Sequence, residues 1–188
     1  MKIWVSLLGL TLCCLAASAQ PISLGGITSG RTSRADLKSR VLEFDNVDAK
    51  NVASVKLKQP EGLHATVRLQ NDVVYMVEVY LQLRPELEGA LIEKSGQLKI
   101  QVGAIRRVTC KNEFGASSER FKGKEVLRWP AEDGVQGLIK RQAGSCAKSY
   151  AEYYVLRHVA TVEAMESNRA DQEKKEAEEK LRRLGGAF

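Results

Sequence analysis

Residues 143–154 read AGSCAKSYAEYY, in which Ser145 and Lys148 stand at the S-x-x-K spacing that some acyl-transferring enzymes use for a serine nucleophile and its lysine. The S-D-N and K-T-G motifs that accompany the pair in penicillin-recognising enzymes are absent, and so permissive a spacing arises readily by chance. Gly144 as the stop of one helix and Ser145 as the N-cap of the next explain the same residues without catalysis. Other reactive patterns fail too. GITSG is not G-x-S-x-G, the two histidines, His64 and His158, are far apart, and no His/Cys/Asp cluster has metal-ligand spacing. Glu86 and Glu88 occupy alternate positions of a short helix and diverge. The sequence therefore nominates no catalytic residue, no metal and no cofactor.

Charge is more informative than reactivity. From Gln20 to Ile105 there are eleven basic and ten acidic side chains, and from Ser149 onward seven and eight. Between Arg106 and Lys148 there are ten and five, so the cationic excess is concentrated there. Arg106, Arg107, Lys111, Arg120, Lys122, Lys124 and Arg128, interleaved with Phe114, Phe121 and Trp129, are candidates for contact with an anionic lipid, polysaccharide or nucleic acid.

The chain opens with MKIWVSLLGLTLCCLAASAQ. One positive charge, a short apolar run and Ala17-Ser18-Ala19 give the layout of a secretory signal over residues 1–19. The run is too short to span a bilayer, and no later segment of the sequence is apolar enough to do so. Removal of the signal leaves Cys110 and Cys146, which an oxidising compartment such as the periplasm or the exterior would join.

These candidates need a scaffold. Residues 20–32, rich in Gly, Ser and Thr, read as a flexible leader, and a helix follows with Ser33 as N-cap and Leu37, Val41 and Phe44 on one face. NVASVKLKQ, HATVRLQ and DVVYMVEVYLQL alternate as strands, the last two joined by an Asn71-Asp72 turn, and the third of them has the apolar breadth of a central strand. ELEGALIEK suggests a short helix. QLKIQVGAIRRVTC resumes the alternation with a bulge at Gly103, and EVLRWP adds an edge strand. Val135, Leu138 and Ile139 fall at helical spacing within 131–144. The absence of Pro and Gly from Cys146 to Leu184 permits one helix of roughly 58 Å. Its first half is broadly apolar, and its second is laced with i,i+4 pairs such as Glu176–Lys180. Ala170, Ala177 and Leu184 make only a thin coiled-coil seam.

The expected fold is α+β: a mostly antiparallel sheet with short packing helices over residues 33–165, disulfide-linked to the long C-terminal helix. Residues 166–184 form a projecting charged arm, and 185–188 a flexible tail. The function expected first is a non-enzymatic adaptor that engages an envelope protein through residues 166–188. Anion binding through residues 106–128 is the alternative, and a hydrolase whose site assembles only in the fold is a third.

Overall fold

The computed structural model describes residues 22–81 and 100–185. The signal, the helix expected after Pro85, Glu86, Glu88 and the last three residues lie outside them. Among the described residues, eight strands form one antiparallel sheet: β1 (Val41–Phe44), β2 (Val52–Leu57), β3 (His64–Gln70), β4 (Val73–Tyr80), β5 (Ile100–Lys111), β6 (Ser117–Arg128), β7 (Val135–Ala147) and β8 (Ala151–His158). Their spatial order is β1-β2-β3-β4-β8-β7-β6-β5, two four-stranded meanders joined where β4 pairs with β8. The helices are α1 (Arg34–Arg40) and α2 (Val159–Gly185).

Period-two patterning builds the first meander. Ala53, Val55 and Leu57 on β2 and Ala65, Val67 and Leu69 on β3 are buried on one side of the sheet. Asn71 and Asp72 both have positive φ, 50° and 60°, as a two-residue turn that matches strand twist requires. On β4 an extra residue at Tyr75 interrupts the register with β3, so the inward series is Val74, then Val77 and Val79, rather than one unbroken alternation.

Five expectations change. The strand in EVLRWP is part of β6, an inner strand paired with both β5 and β7, rather than an edge strand. The segment 20–32 is not a flexible leader in the part described. Ile22, Leu24 and Ile27 join the sheet's hydrophobic core, Leu24 and Ile27 exchange backbone hydrogen bonds, and Ser29 Oγ donates to the Leu156 carbonyl at 3.1 Å. Its Gly-Gly turn folds the segment over the sheet and gives it the composition of a loop. Ser33 caps α1 as expected, accepting from the Asp36 N–H at 3.1 Å, but α1 ends at Arg40 because Val41–Phe44 pair with β2 as β1. Gly103 makes no bulge. Its φ of 77° bends β5 while the pairing with β6 continues unbroken, and a Cβ there would lie 2.2 Å from the Lys124 carbonyl oxygen.

The largest change concerns residues 131–158, expected as two helices and found as β7 and β8. Leu138 and Ile139 are adjacent and both buried, as are Tyr154, Val155 and Leu156. A strand covered on both faces carries the same apolar breadth as a buried helix segment, so pattern alone does not separate them. Ser145 accordingly caps nothing and lies exposed within β7. The disulfide forms, at a Cα–Cα distance of 5.9 Å, but it joins two strands, β5 and β7, rather than a strand and a helix. Flat strands two places apart sit about 9.5 Å from one another, so the sheet curls here. Between the pairs Phe121–Ala147 and Gly123–Ala143, one residue of β6 faces three of β7, and the surplus carries Cys146, φ 59°, toward Cys110.

α2 is 27 residues long, about 40 Å. It follows β8 directly, with His158 Nδ1 2.8 Å from Thr161 Oγ1 and Val162 buried at its start. From Glu163 to Arg183 its side chains are exposed.

Candidate functional site

Strand register sorts the seven nominated cations. Side chains directly opposite in an antiparallel pair share a face. Arg106 opposes Lys122, Val108 opposes Arg120, Ala104 opposes Lys124 and Ile100 opposes Arg128, so Arg106, Arg120, Lys122, Lys124 and Arg128 lie on one face of the β5–β6 ribbon. Arg107 and Lys111 fall on the other. There Arg107 lies 3.5 Å from Glu119 and packs 5.9 Å from the centre of the Phe121 ring, which itself meets Tyr150 edge-on. The aromatics separate as well. Phe114 is 85% exposed at the hairpin tip, whereas Trp129 is buried in the core.

Following the register inward extends the same face. Lys124 opposes Gln142, Val126 opposes Lys140 and Lys140 opposes Tyr153. Arg157 opposes both Gln136 and Met76, and Met76 opposes Arg68. Lys140, Arg157 and Arg68 therefore join the ribbon's cations. Glu78, opposite Val155 and Thr66, is the carboxylate of this face on β3 to β8. The acids of the neighbouring strands point the other way. Arg141 donates to Glu152 and, at 3.0 Å, to Glu125, while Gln101 donates to Glu125 at 2.7 Å. That network neutralises Arg141 within the opposite face, whereas among the described residues the cations of the first face form no salt bridge.

The imbalance is visible in the protonation energetics. Burial lowers the Lys140 pKa, Glu78 opposes the shift, and the positive fields of Arg157, Arg68 and Arg128 add to it. Burial and the charge of Arg128 likewise hold Arg157 below the ordinary arginine value, partly offset by Glu166 and Glu163 at the start of α2. Arg157 is oriented by the Gln136 side-chain oxygen, at 2.8 and 3.1 Å. Arg128 Nε is buried and has no hydrogen-bond partner among the described residues. A set of crowded, partly desolvated cations stabilises an anion that enters it.

No protein-family model, curated protein or solved structure matches this chain.

The catalytic patterns do not assemble. Ser145 and Lys148 are both exposed at one end of the β7–β8 hairpin, and His158 pairs with Val135 at the other, about ten residues or 33 Å of strand away. Among the described residues no three His, Cys, Asp or Glu side chains group as metal ligands, and no helix is long and apolar enough to cross a membrane. Sequence reasoning missed Arg68, Glu78, Lys140 and Arg157. Arg68, Glu78 and Arg157 each stand between apolar neighbours (TVRLQ, MVEVY, VLRHV), and Lys140 follows a buried pair beside Arg141 (GLIKR), so each emerges on whichever face the core leaves open to it.

Proposed function

We propose that this chain is an exported, non-enzymatic binding protein whose cationic sheet face takes up an anionic polymer or surface. The observation that carries the reading is the distribution of charge by register: Arg106, Lys122, Lys124, Lys140 and Arg157 share one face with Glu78, while on the other Glu119, Glu125 and Glu152 are paired with Arg107 and Arg141. Cations fixed on strands meet a polyanion with little loss of conformational freedom, and each contact releases counterions. The joined cysteines are consistent with an oxidising compartment, which agrees with export.

The test compares two sets of substitutions. Arg106→Gln, Lys122→Gln and Lys124→Gln together should weaken retention on an anionic resin and lower the dependence of log K on log salt by about 2 to 3. Arg107→Gln and Lys111→Gln, on the opposite face, should change both much less. Equal loss from the two sets would attribute binding to net charge and sink the reading.

A second reading, an adaptor acting through α2, is favoured by the exposure of that helix on every side, Met165 and Leu181 included. Its ion pairs, Arg169–Glu173 and Arg183–Glu179, lie within the helix and support it by about 0.2 to 0.5 kcal/mol each. Cross-linking in cells with the full chain and with one stopped after Met165 separates the two readings. Equal recovery of partners would remove the arm from the account.

A further inference from the structure

Two recesses on the cationic face share a wall. One, of about 140 Å³, is lined by Ser54, His64, Thr66, Glu78, Tyr80 and Tyr153. The other, of about 360 Å³, is lined in part by Glu78, Tyr153, Lys140 and Lys124. Because Glu78 and Tyr153 belong to both, the recesses form one trench running across the strands from β2 to β6, roughly 24 Å at about 4.8 Å per interval.

The two ends of the trench differ in chemistry. At the β2–β4 end stand hydroxyls, an imidazole and the rings of Tyr80 and Tyr153, whose centroids are 5.2 Å apart. At the β7–β6 end stand Lys140 and Lys124. Glu78 sits at the junction and has no hydrogen-bond or salt-bridge partner among the described residues. Its charge favours the protonated form of Lys140, but toward a bound phosphate its direct effect is repulsion. A carboxylate does accept hydrogen bonds from neutral hydroxyls, and aromatic rings pack against the apolar face of a sugar ring. We propose that the trench binds an acidic saccharide. A hydroxyl-rich ring lies against Tyr80, Tyr153 and Glu78, and its phosphate, sulfate or carboxylate group meets Lys140 and Lys124. This inference rests on the anion-binding reading above and narrows its ligand class.

Replacing Glu78 by Gln separates this inference from general electrostatics by the sign of the effect. Calorimetric titrations of the purified chain would use a phosphorylated glucosamine disaccharide, an oligodeoxythymidylate of equal charge, and phosphatidylcholine vesicles carrying the same disaccharide as a lipid headgroup. The wild-type chain should prefer the saccharide. Glu78→Gln should weaken saccharide binding about tenfold through loss of hydrogen bonds to a charged acceptor, yet strengthen oligonucleotide binding by removing a repulsive charge. Lys124→Gln, at an exposed position that folding does not need, should weaken both. Binding of the anchored form alone supports the inference with a membrane glycolipid as the source, and binding of both forms supports it with a free glycan. Equal affinity for saccharide and oligonucleotide, with Glu78→Gln strengthening both, overturns the inference and leaves anion binding standing. Absence of binding to any of the probes overturns both.

Discussion

The β2–β3 and β5–β6 hairpins are both antiparallel ladders, but their side chains do opposite work. In the first, every second residue from Ala53 to Leu57 and from Ala65 to Leu69 is buried. In the second, only Cys110 on β5 and Leu127 on β6 are buried, and Ile100 and Val102 are about half exposed. The first hairpin is therefore held by its own core. The second is held by backbone pairing to β7 and by the Cys110–Cys146 bridge. A strand relieved of core packing is free to present charge, and the cations lie on the ribbon and the strands that continue it.

Removing the bridge should break this contrast most severely. A Cys110→Ala/Cys146→Ala chain should lose about 3 to 4 kcal/mol in urea unfolding, from a separation of 36 residues. Amide exchange should then rise first in the β5–β6 ribbon while β2 and β3 stay protected. Uniform loss of protection would mean that the two hairpins form one cooperative unit. Side-chain truncation sharpens the same comparison. Leu57→Ala, at a fully buried position, should cost about 3 kcal/mol, whereas Val102→Ala should change stability by less than about 0.5 kcal/mol. Comparable losses would place Val102 in a core.

The smallest effect concerns Lys140 on β7. The Lys140 pKa is lowered in the folded state, so the unfolded chain holds the proton more tightly. The wild-type chain should accordingly gain stability relative to Lys140→Met as pH rises from the lowered folded value toward the ordinary 10.5. An unchanged difference across that window, measured by urea unfolding, would show that the crowding of Arg68, Arg128 and Arg157 has no energetic consequence.

Local chemistry made several features legible in the sequence. The Ser33 cap, the Asn71-Asp72 turn, the alternation of β2 and β3 and the cysteine pair each depend on neighbours along the chain or on the absence of other candidates. β7 and β8 were illegible as strands because burial on both faces removes the alternation that marks a half-buried strand. Residues 22–32 concealed core side chains within a loop-like composition. Five of the seven nominated cations do share a face, but register, a long-range property, decides which five. It also brings in Lys140, Arg157 and Arg68 from segments that carried no local signal. Arg107 and Lys111, neighbours of the others in sequence, are separated from them for the same reason.

The claim that one face of this sheet is the binding surface is tested most directly by lysine acetylation footprinting with and without a bound polyanion, quantified by mass spectrometry. Lys122, Lys124 and Lys140 should be protected together while Lys111 continues to react as in the free protein. Protection of Lys111 equal to that of Lys122 and Lys124, or protection confined to Lys174, Lys175 and Lys180 on α2, would contradict it.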